Sequence, residues 1–299
     1  MASSASIQSN SIERRTNGIR LRVLHWPGDL ERLPFLLLHG LASNARFWEP
    51  VAGRLAAAGH PAYAPDLRGH GQSDAPAAGY DFGTVTQDVA GIVSGLDLRR
   101  FIIAGHSWGG HVALDYAAHH DPAGLALIDG GFTQLSDSPE ATWEKVERAL
   151  TPPRLAGTPL PAFLERLEAA HPDWPTDLPW REIVLANFEI RPDGTIAPHL
   201  AFENHIQVVR ALWEFTTYER FGDVACPVLI AAARTSGVLP RRDEAFLELK
   251  RRGEEQARAR IPQVQFVWVD GTDHDIPLHR PGALADLLLD LAARAAASR

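Results

Sequence analysis

The chain has 299 residues, of which 45% are hydrophobic and 22% charged, so it can bury a full core and is long for one domain without an insertion. Its net charge of -8 and its isoelectric point near 5.9 provide no positive field for nucleic acid or an anionic membrane. Basic residues interleaved with aromatic residues do not cluster anywhere in the sequence. We therefore expect one core domain with an embellishment, and no nucleic-acid binding.

Cysteine content and the first residues bear on the compartment. The single cysteine, Cys226, excludes an intramolecular disulfide. Residues 1–10 are rich in Ser and Ala, contain no apolar signal-peptide region, and are expected to be disordered. Because no run is long enough to span a bilayer, we expect a cytoplasmic protein without a membrane span.

The first hundred residues alternate between strand and helix patterns. Residues 12–15 and 19–25 are predicted strands joined through Asn17-Gly18, which is a strong hairpin signal. Later elements are a buried strand at 35–39, a helix at 47–58, a strand at 62–65 and a helix from about 84 to 96.

A Gly-x-Ser-x-Gly sequence at residues 105–109 lies between the apolar run 101–104 and a helical pattern at 112–118. In this strand, turn and helix context the serine, Ser107, is held at the apex of a tight turn with strained backbone angles. Gly105 and Gly109 flank it because a Cβ at either position would collide across the turn. We therefore interpret Ser107 as a nucleophile.

After a strand at 125–128, the alternation stops from residue 132 to about 221, where amphipathic helices are broken by prolines. This segment is predicted to be an inserted helical lid, with a short hairpin at 188–196 and a helix at 202–215. It contains six of the twelve phenylalanines and four of the eight tryptophans: Trp143, Trp174, Trp180 and Trp213. An aromatic lid over a serine suggests a substrate with a hydrophobic or aromatic part.

The core resumes with a strand at 228–232, a helix at 242–258, a strand at 264–269 and a helix at 282–297. Repeated strand and helix units predict an α/β fold: a mostly parallel twisted sheet with helices on both faces and a site at the carboxyl ends of the strands. Residues 1–131 and 222–299 would form the core, and residues 132–221 the lid.

Four motifs occur in a familiar order: His39-Gly40, the loop at 66–74, the turn at 105–110, and the late Gly271-Thr272-Asp273-His274. Together they resemble the α/β-hydrolase fold superfamily in its lid-bearing branch, over nearly the whole chain. The resemblance implies the fold and the catalytic apparatus but not the substrate. Dehalogenases and epoxide hydrolases of the superfamily carry an aspartate at the nucleophile position, so the serine favours acyl transfer to water.

The resemblance also implies roles for individual residues. A serine hydroxyl needs a base, which by position is His274, with His279 as a weaker candidate. The oxyanion of a tetrahedral intermediate would accept hydrogen bonds from the backbone N–H groups of Leu41 and Trp108, each contributing on the order of 3 kcal/mol. Four further polar residues are expected to order their loops rather than touch substrate: His39, Arg68, His70 and Asp74.

The acid that orients His274 departs from the commonest pattern of the superfamily. Most relatives place an aspartate after the strand that corresponds to 228–232, but residues 233–237 contain no carboxylate. Asp129 follows the strand at 125–128, where some members carry their acid, and it is the predicted third member of the triad. Asp243 is the alternative, although it is equally typical of a helix start.

We predict a serine hydrolase that cleaves a carboxylic ester or lactone through an acyl-enzyme. One alternative is a carbon–carbon bond hydrolase, which would need an arginine near the serine for a substrate carboxylate; the candidates are Arg68, Arg191 and Arg210. Another is a non-catalytic ligand-binding protein of the same fold. The histidines show no metal-ligand spacing on one helix face, so neither a metal nor a cofactor is expected.

Overall fold

The computed structural model describes residues 8–138, 140–172, 178–235 and 241–298, and only the backbone of residues 241–243. The strands are β1 (Asn10–Thr16), β2 (Ile19–Trp26), β3 (Phe35–Leu38), β4 (Ala62–Pro65), β5 (Ile102–His106), β6 (Gly124–Ile128), β7 (Thr158–Pro159), β8 (Phe188–Ile190), β9 (Thr195–Pro198), β10 (Val228–Arg234) and β11 (Val264–Asp270).

The α-helices are α1 (Glu49–Ala57), α2 (Phe82–Gly95), α3 (Trp108–His119), α4 (Trp143–Leu150), α5 (Leu160–Ala170), α6 (Trp180–Leu185), α7 (Phe202–Glu214), α8 (Thr217–Arg220), α9 (Arg241–Arg260), α10 (Ile276–His279) and α11 (Pro281–Ala297). Short 3-10 helices occupy Ala45–Trp48, Leu135–Asp137 and Phe221–Asp223. Strand β1 begins two residues before its predicted start.

Eight strands form the main sheet in the order β1-β2-β4-β3-β5-β6-β10-β11. Pairing is parallel from β4 to β11, whereas β2 pairs antiparallel with both β1 and β4. The turn between β1 and β2 has positive φ at Asn17 and Gly18, 49° and 75°, which is why the Asn-Gly pair fits there. The predicted mostly parallel sheet is confirmed.

Both faces of the sheet are covered. Successive residues of β5 enter different clusters of buried side chains: Ile103 joins the cluster with α2 and α3, and Ile102 joins the cluster with α1 and α11. The same alternation occurs in β3, β6 and β10, which explains their continuous apolar sequences. Full burial of each such side chain stabilises the fold by about 1.5–3 kcal/mol, so the sheet is a rigid base for the strand ends.

The segment between β6 and β10 contains α4 to α8 and a second sheet of three strands in the order β7-β9-β8. The predicted hairpin is present as β8 and β9, whereas β7 was not predicted because it has only two residues. Helix α7 is docked on the main domain: Asn204 donates hydrogen bonds to the Tyr80 hydroxyl (2.8 Å) and the Pro76 carbonyl (3.2 Å). Among the described residues, no helix is long and apolar enough to cross a membrane.

Candidate active site

Ser107 lies at the turn between β5 and α3 with φ 54° and ψ -120°. Positive φ is unfavourable for a residue with a Cβ, so surrounding contacts must impose it. The glycines on either side allow close packing: a Cβ on Gly105 would meet the backbone of Gly109, and a Cβ on Gly109 would meet the carbonyl of His39. The predicted strand, tight turn and helix are therefore present, with the serine at the apex.

Neighbouring strand ends hold this turn. The N–H of Ser107 donates to the carbonyl of Ile128 at the end of β6 (2.9 Å), and the N–H of Gly110 donates back to the Ser107 carbonyl (3.0 Å). Gly130 is so close that a Cβ there would collide with the Ser107 backbone. The serine is thus fixed against β6, and its half-buried side chain faces a cavity.

His274 lies in the loop between β11 and α10 and lines the same cavity as Ser107. Its Nδ1 is 2.7 Å from Oδ2 of Asp129, and 46% of its side chain remains exposed. The loop is tied to the serine turn, because Nε2 of His106 donates to the His274 carbonyl (2.9 Å) and the two rings are 4.7 Å apart. The predicted base and the predicted nucleophile therefore line one cavity, and His274 is held both by Asp129 and by His106.

Asp129 follows β6 directly, has φ 44°, and its side chain is fully buried. Its Oδ1 accepts a hydrogen bond from the N–H of Ala233 at the end of β10 (2.7 Å). No carboxylate directly follows β10 in the sequence, and the Asp129 carboxylate, from the residue after β6, lies at the end of β10 instead. The Nζ of Lys250 is 2.7 Å from Oδ1 and 2.9 Å from Oδ2. The structure thus places Asp129, the predicted acid, against His274.

Opposing effects set the charge of this pair. Burial raises the pKa of the Asp129 carboxyl, but the hydrogen bond from His274 and the charges of His274 and Lys250 outweigh it, so the pKa lies below its ordinary value. For His274, burial and Lys250 lower the pKa, whereas the hydrogen bond and charge of Asp129 and the charge of Asp275 raise it above the ordinary value. An ionised Asp129 is only an acceptor, so Nδ1 of His274 carries the proton and Nε2 keeps its lone pair.

The alternative candidates are placed differently. Asp243 is in the first turn of α9, and its side chain lies outside the described residues. His279 has its Nδ1 near the Thr272 hydroxyl (3.2 Å) and the N–H of Asp273 (3.4 Å), within its own loop. Lys250 was not predicted as part of the site; the only sequence signal was that the chain contains just two lysines.

The two predicted oxyanion donors flank the serine. Gly40 passes so close that a Cβ there would be 3.1 Å from the Ser107 Cβ, and Leu41 follows it along the cavity wall. Trp108 begins α3, where the first N–H groups of a helix lack intrahelical partners. Among the described residues neither N–H has a hydrogen-bond partner, whereas the next one, that of Ala42, donates to His70 (3.2 Å).

The polar residues predicted to order their loops do so. His39 Nε2 accepts from the N–H of Leu67 (3.0 Å), and Asp74 accepts from the N–H of Arg20 (2.8 Å). Arg68 forms two hydrogen bonds with the buried carboxylate of Asp88, at 2.8 and 2.9 Å. A guanidinium held in this way is not available to a substrate carboxylate.

Two adjoining cavities lie at this end of the sheet. The one at Ser107 has a volume of about 240 Å³, and five residues of the inserted segment contribute to its wall: Leu167, His171, Ile183, Val184 and Asn187. The second has about 430 Å³ and lies between the 70–71 loop and the inserted residues 152–156, 187–188 and 197–203. Both cavities are lined by Ala42, Ser43 and Asn187, so one opens beside the other.

The aromatic residues of the inserted segment are placed differently from the expectation. None of those that the structure describes lines the Ser107 cavity, whereas Phe188 and Phe202 line the second one. Trp180 packs into the core cluster with α1 and α11, and Trp143 packs under the guanidinium of Arg210. Trp180 thus anchors the insertion on the main domain, Trp143 packs against a residue of the insertion, and Trp174 lies outside the described residues.

Of the other candidate arginines, Arg191 lines the second cavity and Arg210 forms an ion pair with Glu214 on the surface of α7. In the described part of the chain, no arginine lines the Ser107 cavity. No group of three His, Cys, Asp or Glu side chains in the described ranges is arranged to hold a metal ion.

Known proteins share this fold. The crystal structure of E-2-(acetamidomethylene)succinate hydrolase aligns with a TM-score of 0.73 and 24% identity, over 96% of this chain and 100% of that one. The enol-lactonase from Burkholderia xenovorans LB400 aligns with a TM-score of 0.66 and 21% identity, over 94% and 100% of the two chains. At these identities the likeness shows the fold alone.

Sequence comparison identifies the family. The AB hydrolase superfamily protein YisY of Bacillus subtilis (strain 168) is 40% identical over 90 residues, which are 30% of this chain and about a third, 34%, of that relative. The model of the alpha/beta hydrolase family matches residues 35–287, a range that includes the serine turn, Asp129 and His274. The match extends over most of the sequence, and the chain belongs to the alpha/beta hydrolase family.

Proposed function

We propose that this protein is a serine hydrolase that cleaves a carboxylic ester or a lactone through an acyl-enzyme intermediate. The observation that carries the proposal is the buried Asp129 carboxylate, 2.7 Å from Nδ1 of a histidine that shares a cavity with a serine at a strained turn. This arrangement matches the role of each group in nucleophilic acyl transfer. Solved structures with this fold include an enol-lactonase and an esterase from Exiguobacterium antarcticum, so the fold is compatible with the proposed reaction.

In the proposed reaction, Nε2 of His274 takes the proton of the Ser107 hydroxyl as Oγ attacks the carbonyl carbon. The oxyanion accepts hydrogen bonds from the N–H groups of Leu41 and Trp108, each contributing on the order of 3 kcal/mol to transition-state stabilisation. The intermediate collapses, and His274 returns the proton to the leaving oxygen. Water then attacks the acyl-enzyme with His274 again as base, and Ser107 is regenerated with the free acid.

Asp129 supports both steps. It holds the imidazole with the proton on Nδ1, so that Nε2 is free to accept the serine proton. It also stabilises the imidazolium that forms, which agrees with a His274 pKa above its ordinary value.

The two cavities suggest how substrates are selected. We propose that the group next to the scissile bond occupies the smaller cavity, and that a larger part occupies the second one, past Ala42 and Asn187. The second cavity is lined by Leu155, Leu200 and two phenylalanines, which suits an apolar or aromatic part. Its wall comes mainly from the inserted segment 132–221, which would act as a mobile lid that sets specificity.

A carbon–carbon bond hydrolase is the second candidate. Arg191, which lines the second cavity, is the only one of the three arginines considered that could meet a substrate carboxylate near the site. Arg68 is held by Asp88, and Arg210 lies on the surface of α7. This candidate predicts turnover of a dienone with a carboxylate, and its loss in Arg191→Ala. A ligand-binding role without catalysis predicts no turnover of any substrate.

A panel of p-nitrophenyl esters of increasing acyl length, with lactones and a carboxylated dienone, tests the proposal. We expect ester or lactone turnover that Ser107→Ala abolishes, with Ser94→Ala on the exposed end of α2 as the control. No turnover by folded protein, or unchanged turnover in Ser107→Ala, would contradict it.

Filling the second cavity tests the substrate-size argument. Leu155→Trp should slow long esters more than the acetyl ester, whereas Leu30→Trp, at a side chain that is 88% exposed, should slow neither. Equal slowing of short and long esters by Leu155→Trp would show that the second cavity does not bind the larger part of the substrate.

A further inference from the structure

Lys250 is a buried lysine on α9 whose ammonium group contacts Asp129, the residue that is hydrogen-bonded to His274. Its side chain is 9% exposed, and Nζ donates to both carboxylate oxygens of Asp129 and to the carbonyl of Ala233 (2.9 Å). The same Ala233 donates its N–H to Asp129. One residue at the end of β10 and one lysine therefore hold the carboxylate that also contacts the histidine.

Burying an ammonium group is unfavourable unless it is paired and hydrogen-bonded, and an apolar residue of the same size would avoid that penalty. The pairing of Lys250 with Asp129 is therefore weak evidence for a purely stabilising role. The position of the pair, with Nζ of Lys250 and Nδ1 of His274 both within hydrogen-bond distance of Oδ2 of Asp129, points to a role in the site.

We propose that Lys250 is a positioning residue that acts on His274 through Asp129, by fixing the rotation of the carboxylate and keeping it ionised. With Oδ1 occupied by Ala233 and Lys250, the carboxylate cannot turn about its Cβ–Cγ bond without losing three contacts. Oδ2 therefore stays directed at Nδ1 of His274. The consequence for turnover rests on the proposed function, whereas the consequence for the imidazole does not.

The imidazole also senses the charge of Lys250. The titratable groups that face Asp129 and His274 come from α9, from β5, from the loop after β11 and from the insertion: Lys250, His106, Asp273, Asp275 and His171. Of these Lys250 alone is a lysine, and its charge opposes protonation of His274. Without it, the imidazolium next to Asp129 becomes more stable, so the neutral form that acts as base is present only at higher pH.

The test uses Lys250→Met, with Lys145→Met, the only other lysine and an exposed one, as the matched control. The resonances of His274 are assigned with His274→Asn, and its titration is followed by NMR. We expect Lys250→Met to raise the pKa of His274 and to lower kcat by roughly 10- to 100-fold, by analogy with residues that orient metal ligands, with little change in KM. Lys145→Met should change neither.

A double-mutant cycle separates positioning from structural support. If Lys250 acts through Asp129, Lys250→Met should lower kcat in the wild-type protein but not further in Asp129→Asn. Independent loss of kcat in both backgrounds would overturn the proposal, as would an unchanged His274 titration in folded Lys250→Met. Should that variant not fold, Lys250→Gln, which keeps a donor but no charge, should raise the pKa of His274 in the same titration, and an unchanged pKa would overturn the proposal. If no substrate is found for the wild type, the titration still decides the role of Lys250.

Discussion

Replacing Asp129 by Asn removes one charge and puts an amide oxygen at one carboxylate position and an NH₂ group at the other. The Oδ1 position faces the N–H of Ala233, a donor, so the amide oxygen of Asn must stay there. The amide NH₂ then faces Nδ1 of His274, where the carboxylate now accepts a hydrogen bond. The imidazole must therefore offer its lone pair at Nδ1 and carry its proton on Nε2, where it cannot accept the proton of Ser107.

The same tautomer change in a serine protease lowers turnover about 10⁴-fold, and we expect a loss of that size here. At 1.36 kcal/mol per tenfold, it corresponds to roughly 5 kcal/mol of transition-state stabilisation. Asp129→Asn also leaves Lys250 without its anion, so the variant should be less stable than the wild type. Hydrolysis of p-nitrophenyl acetate should therefore be measured well below the melting temperature found by circular dichroism.

Asp97→Asn is a matched control, since Asp97 also has positive φ, 51°, but is exposed, and among the described residues its carboxylate is paired only with Arg99. Asp243→Asn tests the alternative acid. Both controls should retain wild-type turnover. Folded Asp129→Asn with more than a tenth of wild-type kcat, or Asp243→Asn with a loss as large, would refute the reasoning.

Four other outcomes are expected. A fluorophosphonate should label Ser107, and mass spectrometry that finds the label elsewhere on folded protein would contradict its role. Gly53→Ala should stabilise α1 by about 0.5–1 kcal/mol in urea unfolding, because the added Cβ meets no atom within 4 Å; a loss of stability would show strain that the structure lacks. Because the pKa of His274 is raised and the base must be neutral, kcat/KM should fall with decreasing pH from above about 6.5, and a profile flat down to pH 5 would exclude this base. Burial lowers the pKa of His39 to about 4 and the pKa values of His70 and His106 to about 3. As the pH falls below about 6.5, these histidines are therefore protonated in the unfolded chain before they are protonated in the folded protein, and each should lower the free energy of unfolding by about 1.4 kcal/mol per pH unit. Urea midpoints that do not move between pH 7 and 5 would contradict this.

Most of the fold could be predicted from the sequence, because strands buried on both faces leave continuous apolar runs and the glycine turns between them are chemically constrained. The 105–109 turn is an example, since no residue with a Cβ could replace Gly105 or Gly109. Asp129 could be proposed from the absence of a carboxylate after β10, since the carboxyl ends of neighbouring parallel strands meet at one edge of the sheet.

Other features left no local signal. Lys250 is 121 residues from Asp129 and lies on α9, which is rich in charged residues. The sequence of α9 does not show that Lys250 is buried while other charged residues of the helix are exposed. The division of the site into two cavities depends on how the insertion packs, and amphipathic patterns show that its helices have an apolar face but not which surface that face covers. The aromatic content of the insertion suggested an apolar pocket but not which rings would line it: Phe188 and Phe202 line the second cavity, Trp143 packs against Arg210, and Trp180 joins a core cluster.

The position of β11 in the sheet has a consequence for how activity is lost. In the described part of the chain, strand β11 is at the edge of the sheet and pairs only with β10, whereas β5, which leads to Ser107, lies between β3 and β6. Edge elements open locally at a lower free-energy cost than central ones, and an opening of β11 would carry the His274 loop away while the serine turn stayed intact. We therefore expect heat or denaturant to inactivate the protein reversibly before its circular dichroism changes, because the His274 loop would be displaced before the rest of the sheet unfolds.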